Sequence, residues 1–157
     1  MSYQNFEKAI ELAQQCDGYC DGGGKPSEIV AKAEELVGIK FSRQNNQYFK
    51  EHGYIEFFGS EVFGIVEDDF SGAHAGCAIE ATLIDRNSLN LPQEWLTIYF
   101  FDDGHYGYLD YSQLNEEGEP PVIRAIYDGK EYVAVEKVAE DLGDFLLNLV
   151  TEQLARQ

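Results

Sequence analysis

The chain has 157 residues, 44% hydrophobic and 13% aromatic, a length that suits one domain spanning 1–157 and a composition too apolar for a disordered acidic polymer. With 11 Lys plus Arg against 29 Asp plus Glu the formal net charge is −18, which argues against nucleic-acid and anionic-membrane partners, since phosphate affinity rests on Lys and Arg displacing counterions. The N-terminus lacks a basic segment followed by an apolar one, no apolar run nears the roughly 20 residues of a membrane span, and three cysteines are an odd number, so the expectation is a cytoplasmic chain with reduced thiols.

Hydrophobic periodicity predicts a first helix from Asn5 to Gln15, with Phe6, Ala9, Ile10 and Ala13 on one face, followed by a flexible Gly-rich loop from Asp17 to Gly24. Ser27 is positioned to cap a second helix whose Ile29, Val30, Ala33, Leu36 and Val37 form a buried stripe and which Gly38 stops. A third, from about Ser42 to His52, turns Tyr48 and Phe49 inward and ends at Gly53. The period then changes, with β-prone segments at Tyr54 to Phe58 and Glu61 to Val66.

A further helix is predicted over Ala78 to Leu89, stopped before Pro92. Strands follow at Trp95 to Phe101, Tyr106 to Tyr111, Val122 to Tyr127 and Glu131 to Glu136, with Asp102-Asp103-Gly104 turning between the first two. Asp141 to Arg156 carries the strongest amphipathic stripe, formed by Leu142, Phe145, Leu146, Leu149, Val150 and Leu154. This order predicts an α+β fold: a largely antiparallel twisted sheet of about five to six strands, packed with N-terminal helices, one internal helix and a C-terminal helix.

The ordered motifs Ala33-Glu34, Leu36-Val-Gly-Ile39, Tyr48-Phe49 and Gly53-Tyr-Ile-Glu-Phe-Phe-Gly-Ser-Glu-Val-Phe-Gly-Ile65 resemble the N-terminal half of the SUKH superfamily. Asp102-Asp-Gly-His-Tyr-Gly-Tyr-Leu-Asp110, Gly118-Glu-Pro-Pro-Val122 and Leu142-Gly-Asp-Phe-Leu146 are similar to its second half, so the resemblance covers about 27–154. Phe57-Phe58 stands where many members carry a tryptophan-containing segment. The resemblance implies a non-catalytic α+β binding domain, common among bacterial immunity proteins that neutralise toxins, many of them nucleases, and found also in fungal regulators of cell-wall synthesis.

No motif for bond-making chemistry is complete. Gly22-Gly-Gly-Lys25 lacks the first glycine of a phosphate loop, is followed by Pro26 and is preceded by a helix rather than a strand. His74 and Cys77 form one ligand pair without a matching partner pair, and Cys16 with Cys20 read as incidental, so no metal and no cofactor are expected. Asp102 and Asp103 lack the later ligands of a calcium loop. Asp103 with His105 is the best acid–base pair for a small acidic hydrolase, and no nucleophile elbow or triad accompanies it.

Charge distribution is more informative. Between Glu51 and Ile123 there are 15 acidic residues and one basic residue, Arg86. Such a field either only keeps the chain dispersed or draws a basic partner. The clusters Glu67-Asp68-Asp69, Asp102-Asp103 and Glu116-Glu117 with Glu119 fall in predicted loops, with Tyr106 and Tyr108 close to the second as interface anchors. These ten residues are the expected contacts to a basic cognate toxin. A regulatory or scaffold domain with another intracellular partner is the alternative, and oligomeric state is left open.

Overall fold

The chain is described by a computed structural model covering residues 2–156. Helix α1 (Ser2–Gln14) runs against α5 (Leu142–Ala155), the two burying Phe6, Ala9, Ile10 and Ala13 with Leu142, Phe145, Leu146, Leu149 and Val150. Asn5 Nδ2 donates to Asp144 Oδ1 across this contact at 2.7 Å. Leu154, in the last turn of α5, is 40% exposed and extends the predicted stripe past the packed layer.

Helix α2 (Ser27–Val37) ends as expected at Gly38, whose left-handed backbone donates to Glu34 O. Its start differs from expectation. Pro26 occupies the cap position and its carbonyl accepts from Val30 N, so Ser27 is already helical and makes no cap bond. Leu36 is 42% exposed, because at about 100° per residue it falls about 60° from Ala33 on the side away from Val30 and Val37.

Ser42 caps α3 (Arg43–Glu51) by accepting from Asn45 N at 3.3 Å. Tyr48 and Phe49 of this helix are fully buried, and the Tyr48 hydroxyl donates to Val62 O at 2.7 Å while accepting from Ile55 N at 3.1 Å. One side chain thereby fixes a helix to both arms of the following hairpin.

Among the described residues the strands form two antiparallel sheets rather than one of five to six strands. The smaller joins β1 (Cys20–Asp21), β2 (Ile55–Phe57) and β3 (Ser60–Val62) in that order. The larger is a meander of β4 (Trp95–Phe101), β5 (His105–Asp110), β6 (Val122–Tyr127) and β7 (Tyr132–Ala139). Part of the Gly-rich run read as a flexible loop is thus strand β1, extended by Gly22 N donating to Tyr54 O.

The hairpin is shorter than its β-prone sequence because Phe63 N donates instead to Ile98 O of β4, drawing the chain toward the larger sheet. Gly64 then lies parallel beside Cys77, and a Cβ there would sit 1.8 Å from Gly53 O, so only glycine permits that approach. Helix α4 (Ala78–Leu89) covers one face of β4, where Thr82 Oγ1 accepts from Thr97 N at 3.0 Å. That face buries Leu91, Tyr108, Ile123 and Ala125 with Trp95, Tyr106 and Tyr132 packed around them, while Leu96, Ile98, Leu109 and Val122 belong to the main core with the helices.

Candidate protein-binding surfaces

The meander separates the acidic clusters. Asp102 and Asp103 lie in the β4–β5 turn at one end of the larger sheet, and residues 111–121 join β5 to β6 at the other, about 20 Å away at about 3.4 Å per strand residue. The clusters do not merge into one patch.

At the far end Glu116 and Glu117 are exposed, and the fold brings Glu140 and Asp144 beside them. These four, with Asp141, line a cleft of about 600 Å³ whose walls hold no basic residue. Lys137 reaches Glu140 from outside at 2.8 Å. Sequence reasoning missed Glu140 and Asp144 because they are distant in the chain and follow a strand and a helix cap rather than an acidic loop.

Glu119, expected on this surface, is 2% exposed. Asn115 Oδ1 accepts from both Glu117 N and Glu119 N and tightens the loop, while Pro120 and Pro121 are buried after it, so Glu119 points inward. Its Oε2 accepts from Gln44 N at 3.2 Å, in the first turn of α3. Gln44 continues the network, donating to Asp141 Oδ2 at 3.3 Å and accepting from Gly143 N at 2.7 Å. Two buried carboxylates thus sit at two helix N-termini, where the backbone dipoles favour negative charge. Burial pushes the Glu119 carboxyl up, against the Ser42 hydroxyl and Gln44 N–H that lower it, and the charges of Asp141 and Glu117 add to the rise. This carboxylate organises the fold instead of facing a partner.

Tyr108 is also interior, at 0% exposure, with its ring 5.2 Å from Trp95 and 6.0 Å from Tyr132. The strand alternation that exposes one set of side chains here meets α4 and the Leu91 segment, so both faces of β5 are covered. Tyr106 is half-buried and keeps an exposed edge.

The Glu67-Asp68-Asp69 cluster is exposed and partly compensated. Lys25 Nζ pairs with Asp68 at 3.2 Å, and Asp69, lowered first by its bonds from Ser71, also feels Lys32 and His74. The same loop is anchored by Glu80 of α4, which accepts from His74 N at 3.4 Å and lies 2.7 Å from His74 Nδ1.

At the near end Asp103 accepts from His105 N at 3.1 Å and lies 3.6 Å from Arg124, and these partners hold its carboxyl below the ordinary range. Asp102 instead borders a pocket of about 430 Å³ between the β2–β3 hairpin, the segment before α4 and the β4–β5 turn. Its walls include Glu61, Phe63, Phe100 and Tyr106, with Phe100 and Tyr106 rings 4.8 Å apart. Phe100 joins Tyr106 there because the β4–β5 register shifts between Thr97 and Tyr99, putting Phe100 opposite Tyr106. Strict alternation along β4 does not reveal this.

Among the described residues no helix is long and apolar enough to cross a membrane, and no three His, Cys, Asp or Glu side chains come together to hold a metal ion. No curated protein matches the chain. The SUKH_6 family model, described as SMI1-KNR4 cell-wall, matches residues 27–146, from the start of α2 into α5. Such membership is compatible with immunity and with regulatory roles. The match covers most of the sequence and most of the elements that build both acidic ends, and the chain therefore belongs to the SUKH superfamily.

Proposed function

We propose that the chain is a non-catalytic cytoplasmic immunity protein that binds and neutralises a cognate bacterial toxin through its acidic surface. The acidic cleft carries this reading: carboxylates from the β5–β6 loop and the start of α5 converge on one concavity without a basic residue in its walls. A toxin that cleaves nucleic acid must be basic where it grips phosphate, and a carboxylate-lined concavity competes for the same cations. The test is to read the genes beside this chain's own for a toxin domain and to co-express that domain with the chain; a neighbourhood without one favours the second reading below. Restored growth and a stable complex, both weakened by Glu116→Lys with Glu117→Lys, are expected; no protection by the wild-type chain rejects the reading.

A second reading, an intracellular regulatory or scaffold domain, is favoured by the cell-wall description of the matching family model. It expects no toxin gene beside this one and a partner whose binding has no effect on toxicity.

A further inference from the structure

The pocket beside Asp102 combines two features that are costly without an occupant. Glu61 stands directly across the β2–β3 pair from Glu56, and like charges in that position repel. Burial, then Glu56, raises the Glu61 carboxyl, and no Lys, Arg or His lines the pocket. Phe100 meanwhile leaves 41% of its surface exposed at the same opening. Gly76 closes one wall with a positive φ of 79°, and a Cβ on it would fall 2.5 Å from Glu61 Oε1, so glycine is what leaves room for the carboxylate there.

Carboxylates beside exposed aromatic faces form a receptor for an organic cation: the ring quadrupole and the negative charge attract the same group. A guanidinium satisfies both more fully than an ammonium, because it is planar, stacks on a ring and forks onto carboxylates. We propose that this pocket takes an arginine side chain of a protein partner, with the guanidinium against Phe100 and Tyr106 and its N–H groups directed to Glu61 and Asp102. The inference rests on the partner-binding reading only for the source of that arginine.

The probe is N-acetyl-arginine methylamide, titrated into the isotopically labelled full chain and followed by amide chemical shifts. Saturable shifts confined to residues 60–63, 75–76 and 99–106 are expected, with a dissociation constant on the order of 1–10 mM. The citrulline analogue, which keeps the shape and lacks the charge, should give none. Phe100→Ala and Glu61→Gln should each weaken binding about tenfold, with Asp102→Asn, in an exposed turn, as the variant least able to disturb folding. Equal shifts from citrulline, tighter binding of the lysine analogue, or shifts centred on the Glu116–Asp144 cleft would overturn the proposal. No toxin enters this experiment, so the two readings fail separately. Lost arginine binding with intact neutralisation removes the pocket, and arginine binding without neutralisation removes the immunity reading.

Discussion

Glu119 carries a cost that its position in the network does not cancel. Its carboxyl is buried against Gln44 N and the Ser42 hydroxyl, and is still raised above the ordinary 4.5, first by burial. A raised carboxyl means the fold favours the protonated form, so the contribution to stability is full below the unfolded value and is lost as pH rises through the folded one. Glu119→Gln keeps an oxygen for Gln44 N and removes the buried charge. It should therefore raise the melting temperature at pH 7 by roughly 2–4 °C, about 1 kcal/mol, and give no advantage at about pH 4. Melts showing equal destabilisation at both pH values would mean the carboxylate is needed as an anion. An acidic, polar loop predicts exposure for Glu119, whereas its direction is set by Asn115 and by an α3 N-terminus 75 positions earlier. Tyr108 departs from expectation for a related reason: alternation reports which side chains share a face, and only the packing of α4 shows that this face is also covered.

Helices were the most legible elements, since period and cap coincide. Ala78–Leu89 matches its predicted span, with Asn90 in the left-handed region at its end and Gly38 stopping α2 as expected, whereas the cap expected at Ser27 falls to Pro26, and Ser42, expected inside α3, is its cap. The hairpin and the sheet count were less legible, because Phe63 chooses a carbonyl of β4 over continuation of its own strand, a non-local choice. Helix α5 offers a direct test of packing. Leu149 is 9% exposed and Leu154 40%, so Leu149→Ala should cost about 2–5 kcal/mol through lost burial and a cavity, and Leu154→Ala far less. Equal melting temperatures for the two variants would show that α5 is not docked along this stripe. The 67–77 loop is held by a different device. His74 is raised chiefly by its bond to Glu80, and Glu80 is lowered by His74 and Cys77 against the burial that would raise it. The histidine contribution is present below its ordinary 6.5 and fades as pH rises through the raised value; the glutamate contribution is present above 4.5 and fades as pH falls through the lowered one. The anchor is thus strongest between about pH 4.5 and about pH 6.5. Hydrogen-exchange protection factors in this loop should drop in His74→Ala by more at about pH 6 than at about pH 8.5, since a neutral ring keeps the hydrogen bond to Glu80 and loses the charge. Identical protection at both pH values would remove the pair as an anchor.

At the scale of the whole molecule, the Asp102-Asp103 turn and the Glu116–Asp144 cleft lie at opposite ends of the larger sheet about 20 Å apart, more than twice the Debye length of about 8 Å at physiological ionic strength. Each end therefore presents its own field to a docking partner, and a basic toxin engaging one of them should respond to that end alone. Reversal at Asp102 and Asp103 to Lys tests the near end, and reversal at Glu116 and Glu117 tests the cleft. Glu28→Lys with Glu35→Lys, exposed on α2 and lining neither pocket, changes net charge by the same amount. Near-end reversal also breaks the contact of Asp103 with Arg124, so circular dichroism and a melt must first show that the fold persists. With the proposed cleft interface, the Glu116 and Glu117 reversal should slow association about tenfold, and wild-type association should slow as salt rises from about 50 mM to about 500 mM. The near-end reversal should produce a loss of its own only if the aromatic pocket also receives a cation, and the α2 control should leave association within about twofold. Equal losses from all three reversals would mean that the bulk charge of −18 acts without a site. Association indifferent to salt and to every reversal would move the interface away from both ends, to a surface whose binding is carried by apolar contact.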